Sequence, residues 1–401
     1  MKNLINNKNP EKIYIGKANG PINIALIKYW GKDDEELITP LNNSISLTLD
    51  TKTFYTETKV TIIQRLGDIN IRINNNSSIK EPQFSLIINN NPSKVTKRIK
   101  NIFQKFLSLN IPNCQELSSS ILIVKIESIN TFPIASGCAS SASSMAALVL
   151  AITSALNLEN VLSKKDLTRI ARLGSGSACR SIFGGICEWR KGNGDCSYAE
   201  QLYESKYWDL GVKLIIVSQK EKEVSSSLGM KITKETSELF KYRINHVVNN
   251  HLKNIKKSLE EKDFNMFAEI IMKDSNNFHA CCRDSYPSIN YLNEESDFIM
   301  KCVDVLNKIK GNNICAYTFD AGSNAFLIYE NINKNKIDIF FDYILGFSNI
   351  NISDLIQSIQ IENNENNISE INKLIEKRPP KEKIIKRIDF VLGEGAQILK
   401  E

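Results

Sequence analysis

Apolar residues run almost unbroken from Ile121 to Ile126, and small and apolar residues recur at helical spacing from Met145 to Leu156. A β-branched run followed by a helix-period run predicts a buried strand, a corner and a packed helix. Strands are also expected at Ile13–Ile15, Ser44–Leu49, Ile69–Ile73, Phe84–Ile88 and 384–392. Val95, Ile99, Ile102, Phe103 and Phe106 share one face of a helix over 93–109, and a second helix is opened by Ser163 and runs to Leu173. Two apolar strands, 185–189 and 212–218, flank a polar and aromatic stretch at 191–208, which reads as a domain boundary. Beyond it, a loop at Val224–Met230 enters a long helical region reaching about Ile271. Another helix over 291–310 and a strand ending near Tyr317 follow. The Asn-, Ile- and Lys-rich stretch 331–377 reads as helices joined by polar loops.

The corner itself, P-I-A-S-G-C-A-S-S-A-S-S-M-A-A from Pro133, is Gly137 and small hydroxyl residues at the start of a helix. Backbone N–H groups converging at the positive end of a helix make a ready phosphate site, and Ser140, Ser141, Ser143 and Ser144 can cap the helix or reach a phosphate. A serine-rich N-cap with no ligand is the plainer alternative. The G-K-[ST] ending of a P-loop is absent. A second Gly/Ser loop, Gly174–Gly185, contains one arginine, Arg180, which is either a two-pronged clamp for a carboxylate or phosphate or a surface residue beside a turn. Asn23, Lys28 and Lys32 interrupt the apolar run from Pro21, where a lysine ordinarily snorkels to water. Asp320 stands two residues before Gly322, a common way to begin a turn.

At 401 residues the chain is long enough for two domains, and its 42 % hydrophobic and 24 % charged content is that of a globular protein. The net charge of +6 contains no basic block with interleaved aromatics, which argues against nucleic acid and suits small anionic substrates. Nine scattered cysteines without a C-x-x-C pair point to reduced thiols rather than zinc or a disulfide framework. With three histidines, proton transfer is expected at Asp, Glu or Lys. The N-terminal ten residues lack the apolar core of a signal peptide, so a cytoplasmic protein without membrane attachment is expected.

Taken together, P-I-N-I-A-L-I-K-Y-W-G-K from Pro21, F-P-I-A-S-G-C-A-S-S-A from Phe132, G-S-G-S-A-C-R-S from Gly174 and A-Y-T-F-D-A-G-S-N-A from Ala316 closely resemble the mevalonate diphosphate decarboxylases of the GHMP kinase superfamily. V-S-S-S-L-G-M from Val224 and M-K-D-S-N-N-F-H-A from Met272 add two similar blocks. The resemblance covers essentially the whole chain. It implies an α+β, two-domain GHMP kinase-like fold, with an ATP-binding domain over 1–205 and a C-terminal domain over 206–401. The active site would lie in the cleft between them, and the assembly would be a homodimer. It further implies ATP-dependent decarboxylation of (R)-5-diphosphomevalonate to isopentenyl diphosphate, with ATP and Mg2+ as cofactors and the metal ligands unknown.

By position, the resemblance makes Asp320 the catalytic carboxylate with Lys28 beside it, and gives Arg180 and Asn23 the substrate carboxylate. Tyr29, Lys32, Ser175, Ser177 and Ser226 join the substrate site, and Pro133, Gly137, Ser140, Ser141 and Ala142 the ATP site. Ile134, Ser136 and Cys138 stand where the family usually has Thr, Ala and Leu, and Ser323 where it has Pro. Gly137, Ser140 and Ser141 remain, so phosphate binding is expected to survive. Two other functions stay open on the residues alone: a small-molecule kinase that stops at phosphorylation, and a silent binding protein of the same fold.

Overall fold

A computed structural model describes residues 11–65, 81–132 and 140–400. The expected strand Ile69–Ile73 and the corner residues Pro133 to Cys138 lie outside the described residues.

Strict alternation organises the first layer. Along Tyr55–Arg65 every second residue is buried, from Thr56 to Gln64, and Ile121–Asn130 alternates in the same way from Leu122 to Ser128. These two strands form the middle of a six-stranded sheet ordered Gln397–Ile398, Glu11–Pro21, Tyr55–Arg65, Ile121–Asn130, Gln83–Ile88 and Asn91–Ser93. Its buried face carries the helices Lys97–Leu107, Ser140–Ala155 and Lys164–Gly174. The helix Lys97–Leu107 buries Ile99, Ile102, Phe103 and Phe106, as the spacing predicts, while Val95 precedes it. Ser163 and Asp166 form a reciprocal capping box at the start of Lys164–Gly174.

The helix Ser140–Ala155 lies unusually close to strand Glu11–Pro21. A Cβ at Gly16 would sit 2.1 Å from the Ala151 carbonyl oxygen, and one at Gly20 would sit 2.3 Å from that of Ser143. The Ser143 hydroxyl donates to the Gly20 carbonyl at 2.6 Å. Small residues on both partners thus fix where the N-terminus of this helix points.

Besides a two-stranded pair, Lys32–Asp34 with Thr39–Pro40, the described residues form two four-stranded sheets. One is ordered Ala199–Tyr203, Ile186–Trp189, Ser44–Thr48 and Asn23–Ile27; the other is ordered Ala316–Phe319, Ala325–Glu330, Leu210–Ile216 and Lys386–Val391. They share one hydrophobic core with the helices Val248–Glu261, Phe264–Arg283 and Glu294–Lys310. Two of the strands that the pattern did not single out bear on the layers around the site. Ala199–Tyr203 lies inside the stretch read as a boundary, and Ala325–Glu330 directly follows the Gly322 turn. Residues 334–376 form three helices, as expected. Among the described residues, no helix is long and apolar enough to cross a membrane.

Candidate active site

Chain segments from both halves of the sequence converge on one cavity of about 450 Å³. Strand Asn23–Ile27 delivers Asn23 and, just past its end, Lys28 and Tyr29; strand Ala316–Phe319 ends immediately before Asp320. The loop after Gly174 supplies Ser175, Ser177 and Arg180, and the N-terminus of Ser140–Ala155 supplies Ser140 and Ser141. Ser226 and Lys32 also line the wall. Ala142 is fully buried behind them and does not reach the cavity. Pro133 and Gly137, expected at the same helix start, lie outside the described residues.

Lys28 does not snorkel. Its ammonium lies 2.9 Å from Asp320 Oδ1, with the lysine side chain 3 % and the aspartate 30 % exposed. Burial pushes the ammonium below the usual lysine range, and the Asp320 carboxylate opposes that shift. Asp320 is left open to the cavity.

Arg180 is buried too. Nη1 donates to Ser44 Oγ at 2.8 Å and Nη2 to Asn23 Oδ1 at 3.3 Å, while Nε has no partner among the described residues. Asn23 spends both amide hydrogens internally, on Ser181 Oγ at 2.8 Å and the Ser177 carbonyl at 3.1 Å. In this structure it therefore orients Arg180 and has no donor left for a ligand. The hydroxyl of Tyr29 and the indole N–H of Trp30 are likewise buried without partners among the described residues. Orphaned polar atoms around a cavity are what a bound polar ligand would satisfy.

The serines form a chain, Ser141 Oγ to Ser175 Oγ at 3.1 Å and Ser175 Oγ to Ser177 Oγ at 3.2 Å. Among the described residues, five basic side chains line the cavity against two acidic ones, Glu221 and Asp320. Two of the five, Arg98 and Lys222, escaped the sequence reading. Arg98 belongs to the polar side of an amphipathic helix, where an arginine ordinarily meets water, and here it donates to Ser227 Oγ at 2.9 Å. Lys222 is held by Ser226 Oγ and the Ala321 carbonyl, both at 3.0 Å.

Among the described residues there is no group of three His, Cys, Asp or Glu able to hold a metal. The oxygen donors on the cavity wall, the Asp320 and Glu221 carboxylates and the hydroxyls of Ser140, Ser141 and Ser226, are of the kind a hard cation such as Mg2+ takes.

The profile described as the mevalonate 5-diphosphate decarboxylase C-terminal domain matches residues 212–399, and that of the diphosphomevalonate decarboxylase-like N-terminal domain matches residues 20–199. The chain belongs to the mevalonate diphosphate decarboxylase family. Diphosphomevalonate decarboxylase of Debaryomyces hansenii is 37 % identical over 371 residues, covering 90 % of this chain and 92 % of that one. The Saccharomyces cerevisiae protein of the same name is 39 % identical, covering 83 % and 82 %. Mevalonate diphosphate decarboxylase from Trypanosoma brucei superposes with a TM-score of 0.78 at 30 % identity, over 96 % of this chain and 98 % of its own. A further solved structure, described as in complex with MVAPP, AMPPCP and magnesium, has a TM-score of 0.72 at 31 % identity over 97 % and 100 %. The fold is the α+β, GHMP-type arrangement of that family.

His279 lies behind the site, 5 % exposed, and burial together with the Lys28 charge pushes its pKa down to about 3. Between about pH 3 and 6.5 the unfolded chain therefore binds a proton at this residue that the native protein does not. Native stability should fall as pH drops through that window, by up to about 1.4 kcal/mol per pH unit from this group. Urea unfolding of the wild type and His279→Asn at pH 7, 6 and 5 should show a shallower acid loss in the variant; parallel curves would contradict a neutral buried imidazole.

Proposed function

We propose that this protein catalyses the ATP-dependent decarboxylation of 5-diphosphomevalonate to isopentenyl diphosphate, releasing ADP, phosphate and CO2, in the mevalonate pathway. The observation that carries the residue assignment is that Asp320, Lys28, Arg180 and the N-terminus of helix Ser140–Ala155 all line one cavity, with Arg180 keeping an Nε that has no partner among the described residues.

ATP with Mg2+ supplies the phosphoryl group that turns the tertiary 3-hydroxyl into a leaving group. Asp320 orients that hydroxyl and takes its proton, a role that typically contributes ~10²–10⁴-fold. When phosphate leaves with the C3–O electrons, positive charge grows at C3 and the same carboxylate stabilises it. Arg180, steadied by Asn23 and Ser44, holds the substrate carboxylate so that the C1–C2 electrons can form the new double bond as CO2 departs. Ser140 and Ser141 hold the triphosphate and, through its oxygens, the ion. Lys28 balances charge beside Asp320. Tyr29, Lys32, Ser175, Ser177 and Ser226 seat the diphosphate end of the substrate, which the basic lining favours.

The division into domains over 1–205 and 206–401 belongs to the same proposal, as do a homodimeric assembly and a cytoplasmic location. The matched segments 20–199 and 212–399, falling on either side of residue 205, support the first.

The purified protein, given 5-diphosphomevalonate and MgATP, should release ADP, phosphate and CO2 in equal amounts. ADP without phosphate or CO2 would establish the kinase in place of the decarboxylase, and no nucleotide turnover at all would leave a binding protein.

A further inference from the structure

Lys28 and Asp320 are brought to 2.9 Å by strands of two different sheets, and those strands do not pair with each other. Strand Ala316–Phe319 is the edge of its sheet, and Asn23–Ile27 is the edge of the other. What spans them is helix Phe264–Arg283. We infer that its run Asp274-Ser275-Asn276-Asn277 is the jig that sets this pair, with Asp274 and Ser275 as positioning residues. The inference rests on the reading of Asp320 and Lys28 as the reacting pair.

Asp274 works on the lysine side. Its Oδ1 accepts the Lys28 backbone N–H at 2.8 Å. The same oxygen accepts from Arg243 Nη2 at 2.8 Å, and His251 Nδ1 lies 2.8 Å from Oδ2. Arg243 Nη2 also reaches the Lys28 carbonyl at 3.4 Å, which Asn42 Nδ2 approaches at 3.1 Å. Asn277 Oδ1 closes the ring by accepting from Arg243 Nη1 at 2.8 Å. Asp274 and Arg243 are both fully buried. Burial alone would push the Asp274 carboxyl up, but Arg243, His251 and the Lys28 N–H together hold it below the usual range. Both backbone polar groups of Lys28 are thus anchored.

Ser275 works on the aspartate side. Its Oγ accepts the backbone N–H of Phe319, the residue before Asp320, at 3.2 Å. Asn276 Nδ2 donates to the Tyr317 hydroxyl on the same strand at 2.9 Å. Consecutive side chains of one helix therefore reach one partner each on the two sides of the active-site pair. A buried ion pair is a costly way to pack a helix against two strands compared with apolar side chains. Directional hydrogen bonds do fix backbone position, and reacting groups displaced by about 1 Å can lose ~10²-fold in rate.

The test is a double-mutant cycle in the full-length protein. Ser275→Ala, and Ser275→Cys with a near-isosteric but weaker acceptor, are measured alone and in an Asp320→Asn background. The readouts are kcat, KM for both substrates, and the melting temperature. We expect each Ser275 variant to lose about tenfold in kcat with both KM values within about twofold. That loss should vanish in the Asp320→Asn background, where no aspartate remains to position. Equal losses in both backgrounds, or unchanged kcat in the folded single variants, would overturn the inference. Wild-type turnover in Asp320→Asn alone would instead overturn the underlying reading of the site, a result separable from anything Ser275 does.

Discussion

Asp320→Asn should lower turnover by at least ~10²-fold while the protein stays folded and still binds MgATP. The amide keeps the shape of the carboxylate and an oxygen that can accept from Lys28 Nζ, so the buried ammonium, now 2.9 Å from Asp320 Oδ1, keeps a partner. Asp320 is 30 % exposed, so its replacement leaves no large void. What asparagine lacks is a basic site for the 3-hydroxyl proton and a negative charge to oppose charge growing at C3. Chemistry should fail while binding persists. Following ADP, phosphate and CO2 separately in wild type and variant checks this, with nucleotide binding by calorimetry as the control. Full activity in the variant would remove Asp320 from the reaction.

That pair also marks how far local pattern reaches. Strand Asn23–Ile27 and strand Ala316–Phe319 are both legible as apolar runs, but nothing local states that residue 28 will meet residue 320. A lysine ending an apolar strand looks like one that snorkels, and only the tertiary fold makes it a buried ion-pair partner. The family motifs supplied the pairing because they carry the outcome of the fold. They did not supply Arg98, which looks like any arginine on the polar side of an amphipathic helix until its helix is packed against the cavity. Asp274 entered only as part of the block from Met272, with no role attached to it. The polar run after Ile271 continues its helix, and Asp274 and Ser275 are buried there because they bond backbone groups of Lys28 and Phe319, with Arg243 and His251 also on Asp274. Strand Ala199–Tyr203 was lost among turn residues for a related reason, since backbone pairing with Ile186–Trp189 holds it extended and its own residues do not state that pairing.

Arg180→Lys carries the second large expectation, a loss of roughly 10- to 10²-fold in kcat/KM for diphosphomevalonate, with nucleotide binding unchanged. Arg180 is 3 % exposed and lines the cavity while its guanidinium donates to Ser44 and to Asn23 and keeps an Nε without a partner among the described residues. A planar fork can divide its donors among fixed partners and still face a carboxylate. A lysine ammonium is one atom on a flexible stem. If it reaches the substrate it abandons Ser44 or Asn23, and if it stays with them it leaves the carboxylate unheld. Loss of one charge-assisted contact costs on the order of 1.5–3 kcal/mol, which sets the expected range. The defect should appear in both kcat and KM, because a carboxylate that is bound loosely is also released out of line with the departing phosphate. Steady-state kinetics with each substrate varied in turn, alongside a melting curve, checks this. Kinetics indistinguishable from wild type would mean that Arg180 contributes only its charge, and that the carboxylate is held by another group.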